Sequence, residues 1–294
     1  MYAIMGITGN VGGATARALL AAGKKVRAVV RSRAKAVAWA EQGVEVVDAD
    51  MLDSAGLAAA FAGVEGVFAM IPANFSPSPG FPETRAIVAA LRSALDQARP
   101  PKVVYLSSVG AQRESGLGLI TQLNILEHET RTLPIPSAFI RPAWFLENYQ
   151  WDIGPARDRG EIDVFLNPPD RRFPMVATDD IGQRAARTLG QTWSGHRFLE
   201  LEGPRRYSAL DAAAALSRQL NRGVRVNPVP RDQWTGRFER EDTAPGPITN
   251  RIEMLDGFNS GWIDFEGGGS EHCFGNRTLE EVLQVLLERN ANPP

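Results

Sequence analysis

The segment Tyr2-Ala-Ile-Met-Gly-Ile-Thr-Gly-Asn-Val-Gly-Gly-Ala14 decides the fold of this chain. Its short apolar run stops at Gly6, where a glycine-rich turn opens a predicted helix that ends at Gly23. In such a turn Gly6 lets the chain reverse sharply, Gly9 lets the backbone approach a pyrophosphate, and Gly12 lets the helix pack against the strand. The positive end of the helix then faces the phosphates. The spacing therefore predicts the dinucleotide-binding turn of a Rossmann unit.

A second apolar strand, residues 25–30, follows the helix, and Arg31 stands at its end. At this point the fold places the residue that reads the adenosine ribose, an acidic residue for NAD and an arginine for NADP. No carboxylate is present there, and a guanidinium can stack on adenine and bind a 2′-phosphate. We therefore predict NADP as the cofactor in preference to NAD. Arg33 and Lys35 in the same basic turn could instead begin a solvated helix.

Beyond this unit, short apolar runs alternate with helical patterns along the first half of the chain. The runs predicted as strands are residues 44–47, 66–71, 102–107 and 138–141, and the predicted helices between them include 57–61 and 83–98. Near-continuous apolar strands that alternate with helices are typical of a buried parallel sheet. The fold class is therefore predicted as α/β, a doubly wound parallel Rossmann sheet.

The second half of the chain is predicted to complete the ligand cleft. We expect residues 1–150 to form an NAD(P)-binding Rossmann domain and residues 151–294 a smaller C-terminal α/β region on the substrate side, interleaved with the sheet. The elements predicted there are a strand at 197–202 and helices at 179–189, 209–220 and 279–288. Residues 243–269 are rich in Gly, Pro and Asp and are predicted as a mobile loop or a partner surface.

Composition limits the partners that we expect. The net charge of −2 gives no electrostatic reason to bind nucleic acid or an anionic membrane, and no apolar run approaches the ~18 residues of a membrane span. The single cysteine, Cys273, cannot form an internal disulfide, and the first strand begins at Tyr2, which leaves no room for a signal peptide. The three histidines are far apart in sequence, so no metal site is predicted. We expect a cytoplasmic protein with a small-molecule substrate.

Five pieces of the sequence, taken in order, resemble the NmrA-like branch of the atypical short-chain dehydrogenase/reductases. They are residues 6–12 (GITGNVG), 29–31 (VVR), 48–53 (DADMLD), 106–110 (LSSVG) and 140–148 (IRPAWFLEN). Residues 176–181 and 201–204 have a weaker similarity to the same branch. That branch includes type-2 quinone reductases, triphenylmethane reductases and redox-sensing regulators. The resemblance therefore implies a Rossmann fold, an NAD(P) site and either reductase or sensor function.

The resemblance also implies most of the cofactor contacts. Residues after the third strand would flank the adenine, although Asp53 could instead simply cap the next helix. Residues after the fourth strand would border the diphosphate and the nicotinamide ribose. Two serines at the end of the fifth strand would reach the ligand, or would serve only as loop hydrogen-bonding groups. The candidate cofactor residues are Gly6, Thr8, Gly9, Asn10, Val11, Gly12, Arg31, Ser32, Lys35, Asp50, Met51, Leu52, Ile71, Pro72, Ala73, Ser107 and Ser108.

The sequence departs from the wider superfamily in its catalytic residues. No tyrosine is followed by a lysine four positions later, and no lysine lies beyond Lys102, so the usual Tyr-x-x-x-Lys pair is absent and a sugar-nucleotide epimerase is a poor interpretation. NmrA-like reductases often carry a Lys or His about one turn before a Glu. If that Glu is Glu127, the corresponding position here is Leu123 or Asn124. The catalytic residue stays unknown, with Ser107, Asn124 and His128 as candidates.

An aromatic segment follows the sixth strand and is the candidate substrate wall. It contains Trp144, Phe145, Asn148 and Tyr149, which could face the nicotinamide or could belong to the core. The first hypothesis is an NADPH-dependent oxidoreductase that transfers hydride to a quinone-like or electron-poor aromatic acceptor, since a quinone can take its proton from water. The alternative is a non-catalytic regulator that senses NADP(H). In that case a homodimer or a protein partner is expected.

Overall fold

The computed structural model describes residues 1–241 and 248–291. In that part of the chain the strands are β1 Tyr2–Met5, β2 Val26–Val30, β3 Glu45–Asp48, β4 Gly66–Ala69, β5 Val103–Leu106, β6 Ser137–Pro142, β7 Trp144–Phe145, β8 Glu161–Val164, β9 Met175–Val176, β10 His196–Glu202, β11 Arg225–Pro228 and β12 Glu271–Phe274. The α-helices are α1 Asn10–Ala21, α2 Val37–Ala40, α3 Ser54–Phe61, α4 Pro82–Ala98, α5 Thr121–Thr130, α6 Gln150–Arg159, α7 Thr178–Leu189, α8 Ala209–Leu220, α9 Trp234–Glu241, α10 Thr249–Ser260 and α11 Leu279–Ala291. Short 3₁₀ helices lie at Arg33–Ala36, Gly118–Ile120, Leu146–Tyr149 and Arg231–Gln233.

Eight of these strands form one parallel sheet in the order β12-β10-β6-β5-β4-β1-β2-β3. β1, β4 and β6 are buried along their whole length, as expected for strands covered on both faces. The chain winds outward from β1 through β2 to β3 and then returns to place β4 on the other side of β1. This arrangement confirms the predicted doubly wound α/β fold. It also opens a crevice at the carboxyl ends of β1 and β4, where such sheets bind ligands.

Two layers of helices cover the sheet. On one face α1 packs directly on α7, and on the other face α3, α4 and α5 lie side by side. The α1–α7 contact is close because of Gly182, where an added Cβ would lie 2.4 Å from the Cβ of Ala14. The N-terminal ends of α1 and α7 are therefore held together at the same edge of the sheet.

The second half of the chain extends this sheet and also builds a smaller lobe. β10 and β12 join the main sheet beside β6, whereas β8 pairs with β11 outside it. α9, α10 and the loop after β8 enclose a separate apolar cluster that includes Trp234, Phe238 and Leu255. The division of the chain at residue 150 stays a prediction.

The prediction of a loop over residues 243–269 is wrong for Thr249–Ser260, which are helical, whereas residues 261–269 lie in a loop. Residues 243–247 lie outside the described residues, but α10 occupies Thr249–Ser260. Its buried side chains Ile252, Leu255 and Phe258 recur every three residues along one face. Gly257, which favoured a loop, instead permits close packing, since an added Cβ would lie 2.5 Å from Ile263 Cδ1.

Candidate functional site

A cavity of about 660 Å³ opens at the carboxyl ends of the central strands. It runs from the ends of β2 and β3, across the turn after β1, to the ends of β4 and β5 and the start of α7. Its lining residues are Met5, Gly6, Thr8, Gly9, Asn10, Val11, Gly12, Val29, Val30, Arg31, Ser32, Lys35, Ala49, Met51, Leu57, Met70, Pro72, Leu106, Phe145 and Thr178. We call this cavity the cleft. Its length across five strand ends suits an extended ligand rather than a compact one.

The glycine turn after β1 forms the middle of the cleft. Gly6 has a φ of +66°, and its carbonyl accepts a hydrogen bond from the Gly9 N–H at 2.9 Å. A Cβ added at Gly12 would lie 2.2 Å from Gly6 O, whereas one at Gly9 would meet only that oxygen, at 3.4 Å. Gly12 is therefore required for helix–strand packing, and Gly9 keeps the open side of the turn free of side-chain atoms.

The first turn of α1 is open to an anion. Gly9 is its N-cap residue, so no side chain caps the helix, and the first turn contains no acidic residue. The first N–H groups of an α-helix have no partner within the helix and carry its positive dipole end. The middle of the cleft can therefore bind phosphate groups through the backbone.

The basic turn after β2 forms one end of the cleft. Arg31, Ser32 and Lys35 line it, whereas Arg33 pairs with Asp48, with 2.6 Å between Nε and Oδ2. The exposed Arg31 side chain forms no hydrogen bond or ion pair with another described residue. Arg31 is thus a positive charge at the cleft that no carboxylate of the described chain neutralises.

The segment after β3 contributes one of its three predicted contacts. Met51 lines the cleft together with Ala49. Asp50 and Leu52 lie outside the lining. The Asp50 carboxylate accepts the Leu52 N–H at 2.8 Å in a local turn. Asp53 caps α3 by accepting the N–H groups of Ala55 and Gly56, which confirms the capping interpretation.

The ends of β4 and β5 are lined by apolar residues. Met70 and Pro72 line the cleft just after β4 ends, and Leu106 lines it from the last position of β5. The predicted neighbours Ile71, Ala73, Ser107 and Ser108 are not in the lining. Ser108 Oγ donates to Val109 O at 3.0 Å, as in the loop interpretation.

Ser107 belongs to a buried ionic cluster. Its Oγ donates to Glu127 Oε1 at 2.5 Å, and Arg141 donates to both carboxylate oxygens of Glu127 at 2.9 and 2.7 Å. Arg141 also pairs with Glu266 at 3.3 Å, while its guanidinium lies over the ring of Phe198. Burial alone would lower the pKa of Arg141, but the hydrogen bonds and charge of Glu127 raise it above its ordinary value. The cluster therefore keeps Arg141 charged and turns the Ser107 hydroxyl toward α5.

The other two catalytic candidates also lie outside the lining. Asn124 Nδ2 donates to the carbonyls of Ala111 and Arg113 at 3.0 and 2.9 Å, which holds the loop after β5 against α5. His128 is exposed on α5, where its Nδ1 lies 3.2 Å from Arg131 Nη2. Among the described residues, no group of three or more His, Cys, Asp or Glu side chains is arranged to hold a metal ion.

The residues of the aromatic segment after β6 have different surroundings. Phe145 lines the cleft. Trp144 is half-buried and meets Phe258 of α10 edge-on, with 5.2 Å between ring centroids. Tyr149 is buried in the core, which raises the pKa of its hydroxyl, and Asn148 is exposed. One of the four predicted substrate contacts therefore reaches the cavity.

Thr178 is a lining residue that the sequence did not identify as part of the site. It is the first residue of α7, and its N–H and hydroxyl both donate to the carboxylate of Glu147. Residues 176–181 have a weak similarity to the family, and a helix is predicted to begin there. These two observations predict that Thr178 lies near the sheet edge. Its contact with Glu147 could not be predicted, because it depends on the pairing of β7 with β9.

Comparison with known proteins finds related reductase sequences and a solved structure with the same fold. The NAD(P)H azoreductase of Xenophilus azovorans is 26% identical over 233 residues, 79% of this chain and 78% of that protein. Quinone oxidoreductase 2 of Escherichia coli K12 is 27% identical over 227 residues, 76% of each chain. A structure of an E. coli NADPH-dependent quinone oxidoreductase complexed with NADPH superposes with a TM-score of 0.80 at 23% identity, covering 97% of this chain and 99% of that one.

No helix among residues 1–241 and 248–291 is both long and apolar enough to cross a membrane.

The sequence model of the NmrA-like family matches residues 2–260, which include every lining residue of the cleft. The chain therefore belongs to the NmrA-like family.

Proposed function

We propose that this protein is an NADPH-dependent reductase whose acceptor is a flat quinone-like or electron-poor aromatic molecule. The observation that carries the proposal is the cleft itself, a single cavity lined by a basic turn, by the uncapped first turn of α1 and by apolar residues. Two relatives support the reaction class, since one is an NAD(P)H azoreductase and the other a quinone oxidoreductase.

The residues present fit NADP(H) along the cleft. Arg31 and Lys35 would bind the 2′-phosphate, and Met51 would lie against the adenine. The backbone of the turn and of the first turn of α1 would hold the pyrophosphate. The bound cofactor would supply a hydride from its nicotinamide ring. Phe145 would hold the acceptor and exclude water from the transfer.

Arg31 provides the test of cofactor choice. Arg31→Glu should weaken NADPH binding by about 1–3 kcal/mol, because a charge-assisted hydrogen bond is lost and a repulsion is added. The matched control is Arg33→Glu, which alters a neighbouring arginine that already pairs with Asp48 outside the lining. Titration calorimetry should show a large effect only for Arg31. NADH bound by the wild type as tightly as NADPH would refute the preference.

Turnover is tested by NADPH oxidation with a panel of quinones and cationic dyes. Phe145→Ala should lower kcat/KM for the best acceptor about 2- to 10-fold, the effect of losing about 0.5–1.5 kcal/mol of ring stacking. Trp144→Ala is the comparison, since that ring packs on Phe258 and its loss should mainly lower the free energy of unfolding. If only Trp144→Ala lowered turnover, the acceptor would contact Trp144 and not Phe145, and the proposed acceptor site would be wrong.

The sensor hypothesis gives a different result in the same experiments. If every acceptor is inert, and NADP and NADPH change the binding of this chain to a protein partner, the chain is a regulator. The cofactor site would then be correct and the reductase proposal wrong.

A further inference from the structure

The apolar end of the cleft contains a hydroxyl group that a carboxylate supports. β7 and β9 pair in parallel with Phe145 opposite Val176, which brings the residues after both strands together. Phe145 and Thr178 both line the cleft, and Glu147 lies two residues beyond Phe145. The carboxyl group of Glu147, which can hold a proton, therefore lies behind Phe145 and Thr178, the residues that would face the acceptor.

The contact between these residues is well defined. Thr178 Oγ donates to Glu147 Oε1 at 2.6 Å, and the Thr178 N–H donates to the two carboxylate oxygens at 2.9 and 3.0 Å. Thr178 is buried apart from its lining surface, while Glu147 keeps partial exposure. Thr178 therefore lines the cleft while its hydroxyl contacts a carboxyl group that keeps partial solvent exposure.

Burial raises the pKa of Glu147 above that of an ordinary glutamate, although its hydrogen bonds from Thr178 and the charge of Arg289 on α11 oppose the shift. Other acidic groups on the helices packed around it are Asp152 on α6 and Asp179 and Asp180 on α7. Asp179 pairs with Arg277, and Asp180 accepts the Arg277 N–H. A carboxyl group in this environment keeps its proton to a higher pH than usual.

We propose that Thr178 and Glu147 form a proton relay to the reduced acceptor, a role that rests on the proposed reductase function. A hydride supplied by the bound cofactor would leave the acceptor with an anionic oxygen or nitrogen. When Glu147 is protonated, its carboxyl O–H donates to Thr178 Oγ across the same 2.6 Å contact, and the hydroxyl hydrogen is then free to point at the acceptor. The Thr178 O–H proton passes to the acceptor atom as the Glu147 carboxyl proton passes to Thr178 Oγ. Glu147 is left as a carboxylate and takes up a proton from solvent before the next turnover. The relay supplies the acid that the missing Tyr-Lys pair would otherwise provide.

The direction in which kcat changes with pH follows from the need for a protonated Glu147. The relay is loaded below the pKa of Glu147, so kcat should fall as pH rises through that value. Thr178→Val should lower kcat about 100-fold and flatten this limb, since general acids typically contribute 10²–10⁴-fold. Thr178→Ser should restore both rate and limb. Glu147→Gln should also flatten the limb, because an amide cannot release a proton.

The experiment measures kcat from pH 5 to 9 and the Kd for NADPH for each variant. Asp179→Asn is the matched control, a half-buried acid beside Thr178 on the same helix, and should keep the wild-type profile. Unchanged Kd values with the predicted kcat losses support the relay. A Thr178→Val enzyme with wild-type kcat and pH profile, or one whose defect is confined to NADPH affinity, overturns it. A wild type that binds NADPH but reduces no acceptor overturns the reductase function and the relay together.

Discussion

Replacing Arg141 with methionine is expected to destabilise the protein by about 3–5 kcal/mol, the cost of leaving a buried charge without its partner. Arg141 and Glu127 are each only 4% exposed, and Arg141 binds both oxygens of that carboxylate. Urea unfolding measures the change. The control is Arg33→Met, which removes an ion pair between exposed side chains and should cost about 0–1 kcal/mol.

A double variant tests whether the unpaired charge causes the loss. Adding Glu127→Leu to Arg141→Met should recover much of the lost stability, since an apolar pair leaves no buried charge. A deficit below about 1 kcal/mol for Arg141→Met alone would show that the cluster is not structural.

The second large effect separates two glycines of the same turn. Gly9→Val should abolish detectable NADPH binding while the protein stays folded, because an added Cβ meets Gly6 O only at 3.4 Å but the side chain enters the place where the phosphates would bind. Gly12→Ala should instead destabilise the fold by about 1–3 kcal/mol or more, since its Cβ would lie 2.2 Å from the same oxygen.

Thermal unfolding and calorimetry on both variants distinguish these effects. The expected pattern is a wild-type melting temperature without binding for Gly9→Val, and a lowered melting temperature for Gly12→Ala. Normal NADPH affinity in a folded Gly9→Val protein would mean that the turn does not hold the pyrophosphate, and the proposed orientation of the cofactor would have to be abandoned.

The sequence predicted those parts of the site that are built from neighbouring residues. The turn after β1 and the basic turn after β2 are short segments whose residue types and spacing follow from what a dinucleotide requires. The doubly wound parallel sheet follows in the same way, because parallel strands joined by helices leave few arrangements. Asp53 could be identified as a helix cap from sequence for the same local reason.

Contacts between distant parts of the chain could not be derived in this way. Ser107 was considered for the cofactor because it ends β5, yet its hydroxyl is bound to Glu127 of α5, whose partner Arg141 comes from β6. Thr178 and Glu147 are separated by 31 residues and meet through a two-residue strand pair. α10 was missed because glycine usually breaks a helix, whereas Gly257 is used where Ile263 packs closely.

The uncapped first turn of α1 also affects the lifetime of the folded chain. A dinucleotide that supplies partners to those N–H groups binds the native state and not the unfolded one, so it stabilises by an amount that grows with the logarithm of its concentration. At about 100 times its Kd the gain is about 2.7 kcal/mol, a large share of the stability of a typical domain. The fraction of this protein that unfolds and meets proteases would then follow the cellular supply of NADP(H). Its abundance would rise and fall with that supply even if its synthesis stayed constant.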